Sequence, residues 1–200
     1  MPLSKKIEAF FKTKNVVPEI VSHKTVYTVF DLAQTLKEKF DSITKTLLVK
    51  ADKQFILVVM PANYRLDMQK LKKVIRAKKV SLATERDMKT KFHTRPGAMM
   101  PFGVLHKIEL VADSSLLKTK QALFSAGSFT ESVRIKMKDY IRIAEPQIVR
   151  IAKKVPMKLT VVTTKKTNGK NAKPKKLVAK KKSTVRKKRT PVSRRKKIQR

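Results

Sequence analysis

Between residues 4 and 155 the chain switches repeatedly between two hydrophobic periods, and each switch marks an element. Ser4 to Lys14 sets Ile7, Phe10 and Phe11 at i, i+3 and i+4, the apolar stripe of a short first helix. Glu19 to Ser22 is a brief β-like run. Thr28 with Asp31 three residues later forms a capping-box pattern, which predicts a helix to about Phe40 with Val29, Leu32, Ala33, Leu36 and Phe40 facing inward. Thr44 to Lys50 and Gln54 to Pro61 read as strands joined by Ala51-Asp52-Lys53, a β-hairpin. The second strand is almost continuously apolar, so both its faces are expected to be covered.

Asp67 caps a further helix whose buried face is Met68, Leu71, Val74 and Ile75, and Thr84 with Asp87 starts another that ends near Phe92. His93 to Gly103 breaks both periods and carries two Gly and two Pro in eleven residues, half of the four glycines in the chain. That concentration predicts a loop with tight backbone geometry or close approach by a ligand. Val104 to Ala112 reads as a strand, Ala122 to Ser128 as strand into turn, and Ser132 to Ile135 as another strand. Met137–Ile143 and Pro146–Lys153 read as two closing helical pieces. Strands linked by short turns favour a mixed, mainly antiparallel sheet, and the expected class is α+β.

Composition divides the chain in two. Of the formal charge of +36, residues 156–200 carry +19 from 19 Lys and Arg with no acid, while residues 1–155 hold 31 basic and 14 acidic residues. Beyond one short apolar stretch, Leu159 to Val162, the second part is Lys-rich with Pro, Ser, Thr and Asn, a composition that cannot offset the entropy of ordering. The expected organisation is a folded domain over 1–155 and a flexible basic tail over 156–200. Within the tail Lys180, Lys181, Lys182, Arg186, Lys187, Lys188, Arg189, Arg194 and Arg195 predict sequence-independent contact with RNA or DNA phosphates. The tail from Leu177 onward has no aromatic residue for base stacking.

Chemistry is constrained by what is missing. There is no Cys, so disulfides, thiolate metal sites and a Cys nucleophile are excluded, and three widely spaced His leave little for a metal centre. The sequence contains no Walker loop, GxGxxG, GxSxG or HExxH pattern. No cofactor is expected. No run of about 18 apolar residues occurs and the first residues form no signal-peptide core, which predicts a soluble cytoplasmic protein without a membrane partner. Lys45 is the unusual residue: it shares a strand face with Ile43, Leu47 and Val49. It either snorkels to the sheet edge or sets a positive charge at the floor of a pocket.

Thr44-Lys45-Thr46-Leu47-Leu48-Val49, then Arg65-Leu66-Asp67, then Gly97 to Gly103 followed by Asp113, resemble in order and spacing the YbaK-type aminoacyl-tRNA deacylases. That family includes the editing domain inserted in bacterial prolyl-tRNA synthetases. His23 before a Thr-led helix fits the family's early His, and the resemblance covers roughly residues 3–153. It implies a curved sheet with flanking helices and hydrolysis of the ester between a wrongly chosen amino acid and the 3′-terminal ribose of a tRNA. It further implies an essential Lys45 near the terminal nucleotide and an aminoacyl pocket shaped by Gly97, Met100, Pro101, Phe102 and Gly103, with His23, Asp113, Gly127, Ser128 and Ser132 as further substrate contacts. Backbone N–H groups around Met100 to Gly103 are candidate oxyanion donors. Cysteinyl-specific members carry an aspartate where Ser132 stands here, which leaves the edited amino acid open, with a small one such as alanine, serine or cysteine expected.

The function expected is therefore a trans-editing deacylase acting on aminoacyl-tRNA, alone or beside a synthetase, with the tail aiding nucleic-acid binding. The rival reading is a non-catalytic nucleic-acid-binding protein on the same scaffold. A ribosome-associated structural protein, suggested by charge alone, is weaker.

Overall fold

A computed structural model describes residues 5–157, which fall within one compact unit. The tail positions named above, and the Leu159–Val162 stretch, lie outside the described residues. The chain begins with α1 (Lys5–Thr13), whose Ile7, Phe10 and Phe11 are buried as their spacing requires, and β1 (Glu19–Ser22). α2 (Val29–Leu36) starts at the Thr28–Asp31 capping box, with both reciprocal hydrogen bonds formed. It ends four residues before Phe40, because Lys37 takes a left-handed conformation (φ 55°) and Phe40–Ser42 forms a separate 3₁₀ turn.

The hairpin is β2 (Thr44–Ala51) and β3 (Gln54–Pro61), in register from Thr44↔Pro61 to Ala51↔Gln54. Two short elements unmarked in the sequence pattern follow, β4 (Tyr64–Leu66) and, after the Asp67-capped α3 (Met68–Val74), β5 (Val80–Leu82). α4 (Glu85–Phe92) carries the Thr84–Asp87 capping box.

Two expectations fail here for tertiary reasons. Val104 to Ala112 is not one strand: α5 (Gly103–His106) precedes β6 (Glu109–Asp113). The turn closes through Ile108 N–H donating to Gly103 O, and a Cβ at Gly103 would lie 2.4 Å from the Ile108 carbonyl, so only glycine permits it. After a 3₁₀ turn (Ser114–Lys118) come β7 (Gln121–Ser125), β8 (Glu131–Lys136) and α6 (Met137–Ala144). Pro146–Lys153 then forms β9 (Gln147–Val149) and β10 (Ala152–Lys154) rather than a helix. β9 extends the sheet alongside β6, and the N–H groups of Ile151 and Ala152 go to the Asp113 carboxylate instead of to carbonyls four residues back.

The fold is α+β, with a five-stranded sheet ordered β5-β2-β3-β6-β9, a three-stranded sheet β1-β8-β7, and the pair β10-β4. Five of the seven strand pairings are antiparallel; β3–β6 and β6–β9 are parallel. A parallel bridge between Ile43 and Leu123 joins the two larger sheets. One face packs Leu48, Leu57, Val59, Phe124 and Val133 against α1, Phe102 and Tyr140. The ring of Phe102 lies 5.0–5.9 Å from those of Phe10, Phe11 and Tyr140, an aromatic cluster in which each pair adds about 0.5–1.5 kcal/mol beyond burial. The opposite face is covered by α3 over Val49, Ile56, Val58 and Met60, and by α2 over Ile43, Ala62 and Leu123.

His106, at the end of α5, packs edge-on against Phe92, and its buried Nε2 has no hydrogen-bond partner. Burial pushes its pKa down from 6.5 to about 4, with the Lys6 ammonium adding to the shift and a hydrogen bond with the Met100 backbone opposing it. An unfolded chain takes up this proton near pH 6.5 while the folded one refuses it until about pH 4, so stability falls as pH drops through that window. The expected loss is about 1–2 kcal/mol after allowing for solvent screening. His106→Phe should flatten Tm against pH between 6.5 and 4, a range above that in which the helix-capping Asp67 and Asp87, whose pKa values are lowered, take up protons. An unchanged slope would show that the imidazole is hydrated.

Candidate functional site

The mouth of the candidate site is built where β1 turns into α2. His23 follows the last residue of β1, and its backbone N–H donates to Thr130 O (2.9 Å) while Val26 N–H donates to Phe129 O (2.9 Å), which lashes this turn to the chain entering β8. The imidazole is fixed at both nitrogens. Nδ1 is 2.9 Å from the Lys24 carbonyl, which can only accept, so in the neutral ring Nδ1 carries the proton and Nε2 is the nitrogen that accepts from the Ser132 hydroxyl at 3.0 Å.

Ser132 is 3% exposed and sits opposite Ser125 in the β7–β8 register, with Leu123 two residues away on the same face. Strand alternation thus turns Leu123, Ser125 and Ser132 toward α2 while Phe124 and Val133 enter the core. Together with Val26, Thr28, Val29, Leu32 and Thr44 they line a cleft of about 60 Å³. Thr44 Oγ1 donates to Leu123 O (2.8 Å), and Ser128 Oγ accepts from Thr130 N–H (3.0 Å), so the wall is rich in hydroxyls that are already oriented. Gly97 forms part of the rim. Its φ of +89° and a Cβ position 2.8 Å from Tyr27 O exclude any other residue without movement.

Of the residues singled out from the sequence, the structure brings His23, Gly97, Ser128 and Ser132 together in this cleft. Met100 and Gly127 meet one another instead: a Cβ on Gly127 (φ +86°) would lie 3.2 Å from Met100 Cγ. Lys45 is not among the cleft's lining residues. Its half-buried ammonium donates to Ala62 O at 3.2 Å. Burial alone pushes its pKa down, with no carboxylate offsetting the cost.

Three residues that the resemblance sets at the aminoacyl pocket lie outside the cleft's lining. Phe102 is fully buried in the aromatic cluster, Gly103 is packed against Ile108 O, and Pro101 is buried with its carbonyl accepting from Tyr140 Oη–H (3.0 Å). This end of the loop holds the core together, and burial pushes the Tyr140 phenol pKa up, keeping it a donor. Asp113 is a structural tie as well. It is 1% exposed, and its carboxylate accepts from Ser115 N–H and Oγ–H and from Ile151 and Ala152 N–H (2.8 and 2.7 Å). Tyr27, Thr44 and Ser125 also line the cleft and are not among the substrate contacts that the resemblance implies; for Ser125 the period-two alternation with Leu123 is the available signal.

Comparison with known proteins fits this geometry. The model of the aminoacyl-tRNA editing domain matches residues 23–143, a span that begins at the cleft histidine and contains Lys45, Gly97 and Ser132. The chain belongs to the aminoacyl-tRNA editing domain family. It is 34% identical over 104 residues to a proline–tRNA ligase of Macrococcus caseolyticus, covering 52% of this chain and 18% of that one. With the multifunctional Ser/Thr-tRNA deacylase ProXp-y of Escherichia coli it shares 33% identity over 97 residues, 48% of this chain and 58% of the relative. The match thus spans under a fifth of that ligase and just over half of the deacylase. A solved chain described as a hypothetical protein has the same fold, with a TM-score of 0.70 at 21% identity, covering 74% of this chain and all of that one. Among the described residues no helix is long and apolar enough to cross a membrane.

Proposed function

We propose that this protein hydrolyses the ester of a small amino acid on the 3′-terminal ribose of a tRNA. The observation that carries this is the cleft itself, which lies within the family's matched span and holds an imidazole locked as an acceptor next to a buried serine. The cleft is small, about 60 Å³, which favours a compact amino-acid side chain over a bulky one. An aminoacyl ester is already activated, so the site has to position a water or the neighbouring ribose hydroxyl and stabilise the oxyanion. Ser132 Oγ–H donates a hydrogen bond to His23 Nε2 and keeps its proton, which polarises the oxygen and makes it a stronger acceptor for the attacking O–H. Lys45, displaced from Ala62 O by substrate, supplies the positive charge.

The tail over 156–200 adds sequence-independent phosphate contacts that raise the local concentration of tRNA. The test is hydrolysis of a panel of labelled misacylated tRNAs by the full chain. Acceleration over the spontaneous rate for alanyl, seryl or cysteinyl esters, and none for bulky ones, is the expected result. No acceleration for any ester would leave the non-catalytic nucleic-acid-binding reading.

A further inference from the structure

Next to the cleft, and sharing Tyr27 with it, lies a larger open groove of about 630 Å³ between α4 and the Gly97 loop. Its character is different. Tyr27 is 66% exposed, although a ring of that size is ordinarily at least half covered, and it meets Phe129 at 5.0 Å between centroids in a tilted pair. The wall facing them carries Arg86 and Lys89, one turn apart on exposed α4, and Arg95 from the loop, against a single acid, Glu85. None of the three cations is drawn into the ion pairs formed among the described residues. An exposed tyrosine ring backed by a half-buried phenylalanine, in one groove with cations outside those ion pairs, forms a platform for a stacked base beside a track for phosphates, a combination suited to single-stranded nucleic acid.

We propose that this groove binds the unpaired nucleotides immediately 5′ to the aminoacylated terminal adenosine, stacking a base on Tyr27 and Phe129 and holding phosphates with Arg86, Lys89 and Arg95. The inference rests on the reading of the cleft as the ester-hydrolysing site. It also gives the junction a purpose: a Cβ on Gly97 would lie 2.8 Å from Tyr27 O and 3.3 Å from the Phe129 ring, so the glycine lets the loop pass tightly between cleft and platform. A substrate running from one to the other would cross that saddle with its last phosphate on the Arg95 side.

The experiment is equilibrium binding of a short labelled single-stranded RNA ending in CCA to the full chain, at low and at high salt. High salt suppresses the contribution of the polycationic tail, which is present in every variant, while stacking persists. At high salt Tyr27→Ala should raise Kd about five- to hundredfold and Tyr27→Phe should restore wild-type binding. The combined Arg86→Ala, Lys89→Ala and Arg95→Ala variant should reduce the slope of log K against log salt by about 2, at roughly 0.7 for each phosphate lost. The groove is refuted if Tyr27→Ala binds as wild type at high salt, or if an acidic peptide or a duplex RNA of the same length displaces the probe equally well. The readout does not depend on turnover. A chain that cleaves no ester yet loses RNA with Tyr27→Ala keeps the groove and loses the deacylase reading; the reverse pattern does the opposite.

Discussion

Asp113→Ala is expected to destabilise the fold by about 3–5 kcal/mol, a large share of the roughly 5–15 kcal/mol that holds a domain of this size together. The carboxylate accepts four hydrogen bonds at 1% exposure, and two of its donors are the backbone N–H groups of Ile151 and Ala152, which are themselves buried. Truncation leaves those donors without a partner, and each unsatisfied buried donor costs about 1–3 kcal/mol. Asp113→Asn is the sharper variant. An amide has one accepting oxygen, so it serves the Ser115 pair or the Ile151–Ala152 pair and presents N–H groups to the other. Denaturant midpoints for both variants should fall, Asp113→Asn by the smaller amount, and any loss of ester hydrolysis should track the folded fraction. An Asp113→Asn protein with wild-type stability and no turnover would return this residue to the substrate contacts suggested by its place in the family motif.

What the sequence made legible were features decided within a few residues. Ile7, Phe10 and Phe11, the two capping boxes, and the β2–β3 hairpin all follow from spacing that the local backbone enforces. The failures lie where a distant group decides. Residues 104–108 have strand-like apolar content, yet the Ile108 N–H donates to the Gly103 carbonyl and closes a helical turn; residues 146–153 have no strong period, and a carboxylate 38 positions back takes their N–H groups. The same distinction runs through the site. The resemblance marks His23, Gly97 and Ser132, which converge, but a motif does not say which of its members face the core, and Phe102 and Gly103 lie there rather than in the cleft. Tyr27 went unnoticed because an aromatic just before a capping box ordinarily packs back on its helix as a staple, whereas this one stands out from the surface.

Lys45 separates stability from activity, and Lys45→Met should move the two in opposite directions. The ammonium is half-buried on a strand between Ile43 and Leu47, and among the described residues its one hydrogen bond is to the neutral Ala62 carbonyl. Its pKa is lowered by burial, so the folded state holds the charged form at a cost at neutral pH, and stability rises only as pH climbs from the lowered value toward the ordinary lysine range. A methionine of similar length removes that cost while filling the same space, so Tm at pH 7 should stay level or rise. Turnover should move the other way, by about 10²–10³ in kcat, the usual effect of removing one preorganised group aimed at a developing oxyanion. Lys45→Arg should not rescue it, because a planar fork cannot take the place of a compact ammonium at this depth in the strand. Such a pairing, a residue that weakens the fold and whose loss abolishes reaction, is the thermodynamic mark of a group kept for chemistry. If Lys45→Met instead lowered Tm and left hydrolysis intact, the ammonium would be a snorkelling surface charge, and the positive end of the reaction would have to come from backbone N–H groups at the Gly97 rim.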